Sequence, residues 1–104
     1  MSEGGDPRYL ALLDEMAALH RKKAADYGSD RDPLANIRAS EDIGIPAHKG
    51  AWLRAKDKVK RIDQFYLKGE LQNESVADSL MDLAAYCLIG LVLLREKQPA
   101  GGYT

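Results

Sequence analysis

Three carboxylates recur every four residues in the segment ESVADSLMDLAAY, residues 74–86: Glu74, Asp78 and Asp82. At about 100° per residue they share one stripe of a helix, where like charges repel one another. Carboxylate oxygens gathered in this way are typical ligands of a hard divalent cation such as Mg²⁺. Two alternatives stay open: a solvated acidic half-helix, and ion pairs with the cations of a neighbouring helix.

A second stripe, of opposite charge, lies in the segment KGAWLRAKDKVKR, residues 49–61, where six Lys or Arg accompany one Asp. Arg54, Lys58 and Arg61 fall within about 60° of one another on a helix. Such cations can either pair with the acidic stripe or bind the phosphates of a ligand. Both uses remain open from the sequence.

A metal-bound anionic ligand would satisfy both stripes, with the metal on the carboxylates and phosphates on the metal and the basic side chains. This combination is typical of metal-assisted hydrolysis of a nucleotide. Tyr27, Tyr86 and Trp52 are the candidates for stacking on a base, although the position of Trp52 in an apolar helix face favours core packing for it.

Four helices are expected to position these residues, and no segment alternates as a strand would. Asp6 and Pro7 predict the start of a first helix that runs to about residue 25. A short helix opens at Asp32 and Pro33 and stops before Gly44. Long helices follow from about residue 46 to 68 and from about 73–75 to 97.

Apolar spacing predicts which faces are buried. In the first helix the predicted face consists of Tyr9, Leu12, Leu13, Met16, Leu19 and His20. In the third it consists of Trp52, Ala55, Val59, Ile62 and Tyr66. The last helix is apolar on all sides over residues 83–94, a run too short for the roughly 20 residues that cross a bilayer, so we expect a core helix that buries Cys87.

The fold class expected is therefore an all-α bundle of three long helices and one short one, forming one domain over residues 1–104 with loose termini at 1–6 and 98–104. A net charge of −1 argues against general binding of nucleic acids or membrane surfaces. One cysteine and no secretion-signal pattern indicate a cytoplasmic protein. The apolar last helix, with Gly90 as a point of close approach, predicts a homo-oligomer, a dimer or a tetramer.

Three segments together resemble a known family: KKAADYG at 22–28, RAKDKVKR at 54–61 and ESVADSLMDLAAY at 74–86. They are similar to the nucleotide-modification-associated domain of phages and bacteria, and to a compact form of the MazG-like all-α nucleoside triphosphate pyrophosphohydrolases. The resemblance covers about residues 12–97. It implies an oligomeric helical enzyme that uses Mg²⁺ to cleave a (deoxy)nucleoside triphosphate into a monophosphate and pyrophosphate.

Carried over to this sequence, the resemblance implies roles for particular residues. The expected metal ligands are Glu74, Asp78, Asp82 and Asp57, of which Asp78 and Asp82 match the catalytic acidic pair. The expected phosphate ligands are Arg54, Lys58 and Arg61. MazG-like enzymes carry a cluster of glutamates on the helix before the last, where this chain has only Asp57 and Asp63. That difference keeps an alternative open: a non-catalytic accessory module of phage type that binds a nucleotide or a protein.

Overall fold

The structure, a computed structural model, describes residues 4–27, 32–70 and 75–97. They form α1 (Pro7–Tyr27), α2 (Ala35–Arg38), a 3₁₀ helix (Ala39–Ile43), α3 (Ala47–Lys68) and α4 (Val76–Glu96). Within these ranges there is no strand, so the all-α prediction is confirmed. The chain divides into two compact units, Met1–Asn36 and Ile37–Thr104. The expectation of a single domain stays a prediction, and most of the expected loose termini lie outside the described residues.

The first unit contains α1, whose start is set by Asp6. The Asp6 carboxylate accepts the backbone N–H of Arg8 at 2.7 Å and the Arg8 guanidinium at 2.6 Å. These hydrogen bonds lower the pKa of Asp6 below its usual value, and the carboxylate raises the pKa of Arg8. Because the Asp6 pKa is lowered, this cap is fully present above the ordinary carboxyl pKa and is lost as pH falls through the lowered value.

The predicted buried face of α1 is not buried. Tyr9 is 62% exposed, the leucines of that face are also exposed, and only Met16 is half-buried. His20 is exposed as well. A helical period shows where the apolar face of a helix lies, but it does not show whether another element covers that face.

In the second unit α3 and α4 form an antiparallel helical hairpin. Lys58 of α3 meets Asp82 of α4, whereas Ala51 lies opposite Gly90, so residue numbers fall along one helix as they rise along the other. Gly69 ends α3 with φ of 83°, a left-handed conformation that suits glycine. Ser75 begins α4, where its hydroxyl oxygen accepts the backbone N–H of Asp78 at 3.0 Å.

Small residues fill the contact between the two helices. The buried residues of α3 are Ala47, Gly50, Ala51, Ala55 and Ile62. Ala55 and Ile62 were predicted there, but the rest of the prediction is wrong, because Trp52, Val59 and Tyr66 are exposed. The buried face is therefore rotated away from the large side chains, toward residues that let two helix axes approach closely.

The prediction that α4 is buried all round is also wrong. Only Ser79 and Leu93 are buried, whereas Leu88 is 51% and Val92 50% exposed. Cys87, expected in the core, is exposed. By length and composition alone, α4 is the one helix among the described residues that could cross a membrane, and a single such helix is weak evidence for a membrane span.

The 3₁₀ helix packs on α3 near the C-terminal end of α4. Two ion pairs join these parts: the Arg38 guanidinium lies 2.7 Å from the Glu96 carboxylate, and Lys97 Nζ lies 3.8 Å from that of Glu41. They link the start of the second unit to the C-terminal end of α4.

Candidate functional site

A pocket of about 450 Å³ opens on the hairpin where Tyr86 of α4 meets one side of α3. Its lining consists of Leu53, Arg54, Asp57, Lys58 and Tyr86. Arg54 and Lys58 lie four residues apart on α3, which places them on the same side of that helix. The pocket thus combines two cations, one carboxylate and one aromatic ring.

Lys58 and Asp82 form the best-shielded ion pair of this region. Lys58 Nζ lies 3.1 Å from Asp82 Oδ2, and the two side chains are only 16% and 20% exposed. Ion pairs withdrawn from water in this way are weakened less by salt than surface pairs. The alternative in which the acidic and basic stripes pair with each other is confirmed for these two residues.

Arg61 and Asp57 form a second pair, one turn apart on α3. Arg61 Nε donates to Asp57 Oδ2 at 3.3 Å, and both side chains are well exposed. Such i,i+4 surface pairs stabilise a helix by about 0.3–0.5 kcal/mol. Arg61 does not line the pocket, but the carboxylate with which it pairs, that of Asp57, does.

The remaining predicted site residues are not brought to this pocket by the described structure. Asp78 is exposed in the first turn of α4 and is absent from the lining. Glu74 and the side chain of Tyr27 lie outside the described residues. The structure therefore places Arg54, Asp57, Lys58 and Tyr86 together, with Asp82 and Arg61 attached through ion pairs.

Trp52 lines a neighbouring pocket of about 210 Å³, which shares Tyr86 with the first. The other lining residues are His48, Cys87, Gly90 and Leu94. Sequence reasoning missed His48 and Leu53. The position of His48 four residues before Trp52 was a usable signal, since these side chains are neighbours on a helix.

The described carboxylates do not by themselves fit a magnesium site. Mg²⁺ requires near-octahedral oxygen coordination, whereas Asp82 contacts Lys58 and Asp57 contacts Arg61. Within residues 4–27, 32–70 and 75–97, no three His, Cys, Asp or Glu side chains gather closely enough to hold a metal ion. The predicted ligand Glu74 lies outside these ranges.

Comparison with known proteins gives no match to a family model, to a curated protein or to a solved structure. The resemblance to MazG-like enzymes therefore remains a prediction from three sequence segments.

Proposed function

We propose that the protein binds a nucleoside triphosphate in the pocket lined by Arg54, Lys58 and Tyr86. The observation that carries the proposal is that these three residues, expected as phosphate- and base-binding groups, line one pocket together. Its volume of about 450 Å³ lies within the usual range of small-molecule sites.

In this arrangement Arg54 and Lys58 bind the phosphates. The planar guanidinium of Arg54 suits two phosphate oxygens at once, and Lys58 adds a point charge. The ring of Tyr86 provides a flat surface on which a base can stack. Asp57 repels phosphate, so it suits a sugar hydroxyl or a base amino group, which donates a hydrogen bond to its carboxylate.

The proposal extends to hydrolysis of the triphosphate to a monophosphate and pyrophosphate, which the resemblance implies. The residues that would hold the implied cofactor, Mg²⁺, are Glu74, Asp57, Asp78 and Asp82. Because the described members of this set do not form a metal-ligand group, binding is the part that the geometry supports best.

A second candidate is the non-catalytic accessory module. The observation that favours it is that Asp82 and Asp57 are engaged with Lys58 and Arg61 and thus act as structural partners of the basic stripe. A module of this kind binds its nucleotide equally well with and without magnesium. An enzyme that uses magnesium forms products only when the cation is added.

The test of binding is a titration of the pure protein with each NTP and dNTP, followed by thermal shift and calorimetry. We expect Arg54→Gln to raise the dissociation constant for the triphosphate about 10- to 100-fold, because a charge-assisted hydrogen bond contributes about 1.5–3 kcal/mol. Lys56→Gln removes the same charge from an exposed position of the same helix outside the pocket lining, and it should change affinity less than twofold. Equal effects of the two variants, or no binding by any nucleotide, would contradict the proposal.

Turnover is tested on the same samples with magnesium, by resolving the products on an ion-exchange column. Monophosphate and pyrophosphate that vanish with Asp82→Asn would support the enzyme. Binding without products, unaffected by magnesium, would support the accessory module.

A further inference from the structure

One side of α4 is apolar, exposed and free of charge over four turns. Its exposed apolar residues, called the outer face below, are Ala77, Leu80, Ala84, Cys87, Leu88 and Val92. They span an arc of about 140° and a length of about 22 Å along the helix. A continuous exposed apolar surface is a candidate interaction site.

The spacing within this surface indicates what covers it. Residues 77, 80, 84 and 87 of the outer face continue into the half-buried Leu91 and Leu94 at alternating steps of three and four, and all of them are apolar. This seven-residue repeat is the pattern by which one helix packs against another with interlocking side chains. The occupant that fits the repeat is therefore another helix.

The charges at the two ends of the outer face favour a second copy of α4 that runs antiparallel to the first. Asp78 is exposed in the first turn of α4 and Arg95 in the last, and the two lie equally far from residues 86–87. An antiparallel pair brings the acidic end of each helix to the basic end of the other and opposes the helix dipoles favourably. A parallel pair would place like charges together at both ends.

We infer that two copies of this chain associate through the outer faces of their α4 helices, antiparallel and with the two-fold axis at the level of residue 86. Leu80 of one copy then lies next to Val92 of the other, because both are six residues from residue 86. Ala84 lies next to Leu88 in the same way. The two hairpins together form a four-helix assembly with α4 and its copy at the centre.

The size of the surface predicts a reversible association. One helix face of about 22 by 10 Å is much smaller than the roughly 800 Å² per partner of standard interfaces. Trp52, which is 55% exposed and borders Cys87 in the smaller pocket, widens the contact. We therefore expect weak association, with a dissociation constant on the order of 10 μM.

The register is tested by cross-linking in a Cys87→Ser background. Leu80→Cys and Val92→Cys chains are mixed and oxidised with oxidised glutathione, and a disulfide forms only when the two Cα atoms approach to about 4.4–6.8 Å. The expected result is a mixed dimer at least fivefold more abundant than either self-linked dimer. Self-linking of each variant at equal or greater yield would show a parallel pair and would overturn the inference, as would no cross-linking.

The surface itself is tested by Leu88→Gln, with Leu67→Gln as the matched control. Leu67 lies in the last turn of α3, is 79% exposed and is outside the outer face. Sedimentation equilibrium should show a dissociation constant raised at least tenfold for Leu88→Gln and unchanged for Leu67→Gln, with equal helicity by circular dichroism. A wild-type protein that stays monomeric at 100 μM (about ten times the expected constant) would overturn the inference, whether or not it binds lipid vesicles.

This inference does not depend on nucleotide binding. None of the residues exchanged in these tests lines the larger pocket. The two proposals are separated if Leu88→Gln loses association but still binds nucleotide. They are also separated if Arg54→Gln loses nucleotide binding but still associates.

Discussion

The two sides of α4 differ in the size of their side chains. Toward α3 the helix presents Gly90 and the buried Ser79, and a Cβ placed on Gly90 would lie 3.8 Å from the Ala51 Cβ. Away from α3 it presents leucines and a valine that are about half exposed. Apart from the buried Leu93 of α4, the hairpin is held by a close approach of small residues, and the large apolar side chains of the other side remain available for another molecule.

The largest effect is expected from enlarging the inner side. Ala51 is fully buried opposite Gly90, so Ala51→Leu forces α3 and α4 apart. We expect a loss of about 3 kcal/mol in the free energy of unfolding, or roughly 10–20 °C in melting temperature. Thermal denaturation followed by circular dichroism measures it.

The matched control makes the same change on the other side. Ala84 belongs to the exposed outer face, and Ala84→Leu in dilute protein should alter the free energy of unfolding by less than about 0.5 kcal/mol. Similar losses for the two variants would mean that the two sides of the hairpin are equally packed.

Two glycines within the helices differ in how closely a neighbouring side chain approaches them. A Cβ on Gly50 would lie 2.6 Å from Ser40 Oγ and 2.9 Å from Ser40 Cβ, and Ser40 also donates a hydrogen bond to the Ile45 carbonyl at 3.0 Å. Gly50→Ala therefore displaces the 3₁₀ helix, and we expect a loss of about 2 kcal/mol, measured by urea denaturation.

Gly90→Ala provides the contrast, since 3.8 Å from Ala51 is an ordinary van der Waals contact. Alanine is the better helix former, so this variant should gain about 0.5–1 kcal/mol in the free energy of unfolding.

For Gly50→Ala, the added substitution Ser40→Gly should restore most of the lost stability. A Gly50→Ala protein as stable as the parent would show that the 3₁₀ helix is not tightly packed on α3.

Much of the fold was predictable because helix ends carry local signals. Asp6, Ser75 and Gly69 each act on backbone groups within a few residues, and the helices begin and end where those residues predicted. Three of the six expected phosphate- and base-binding residues, Arg54, Lys58 and Tyr86, line one pocket. The four-residue spacing of Arg54 and Lys58 places these two on the same side of α3.

The buried faces were less predictable, for a physical reason. Apolar periodicity gives most weight to large side chains, so it favoured Trp52 and Tyr66, whereas the helices approach each other at Ala51 and Gly90. In α4 both sides are apolar, so periodicity cannot tell which side meets α3. The expected metal site likewise depended on Asp57 and Asp82. From the sequence these acids could bind either a metal ion or a basic side chain, and in the structure they pair with Arg61 and Lys58.

A buried hydroxyl on the inner side predicts a gain in stability. Ser79 is fully buried, and among the described residues its Oγ has no hydrogen-bond partner. A buried unpaired polar group costs about 1–3 kcal/mol, so Ser79→Ala should raise the free energy of unfolding by about 1 kcal/mol. A fall in melting temperature instead would show that the hydroxyl forms a hydrogen bond that stabilises the hairpin.

The smallest effect is expected on the outer face. Val92 is half exposed, and Val92→Thr keeps its shape while adding a hydroxyl that water can solvate in the free chain. At 1 μM protein, below the expected dissociation constant, the two unfolding free energies should agree within about 0.5 kcal/mol. At 200 μM the parent should melt at a higher temperature than at 1 μM, because association stabilises the folded chain by mass action, and Val92→Thr should lose most of that increase. A melting temperature that is independent of concentration in both proteins would mean that the outer face stays uncovered, and the contrast between the two sides of α4 would then concern packing within one chain only.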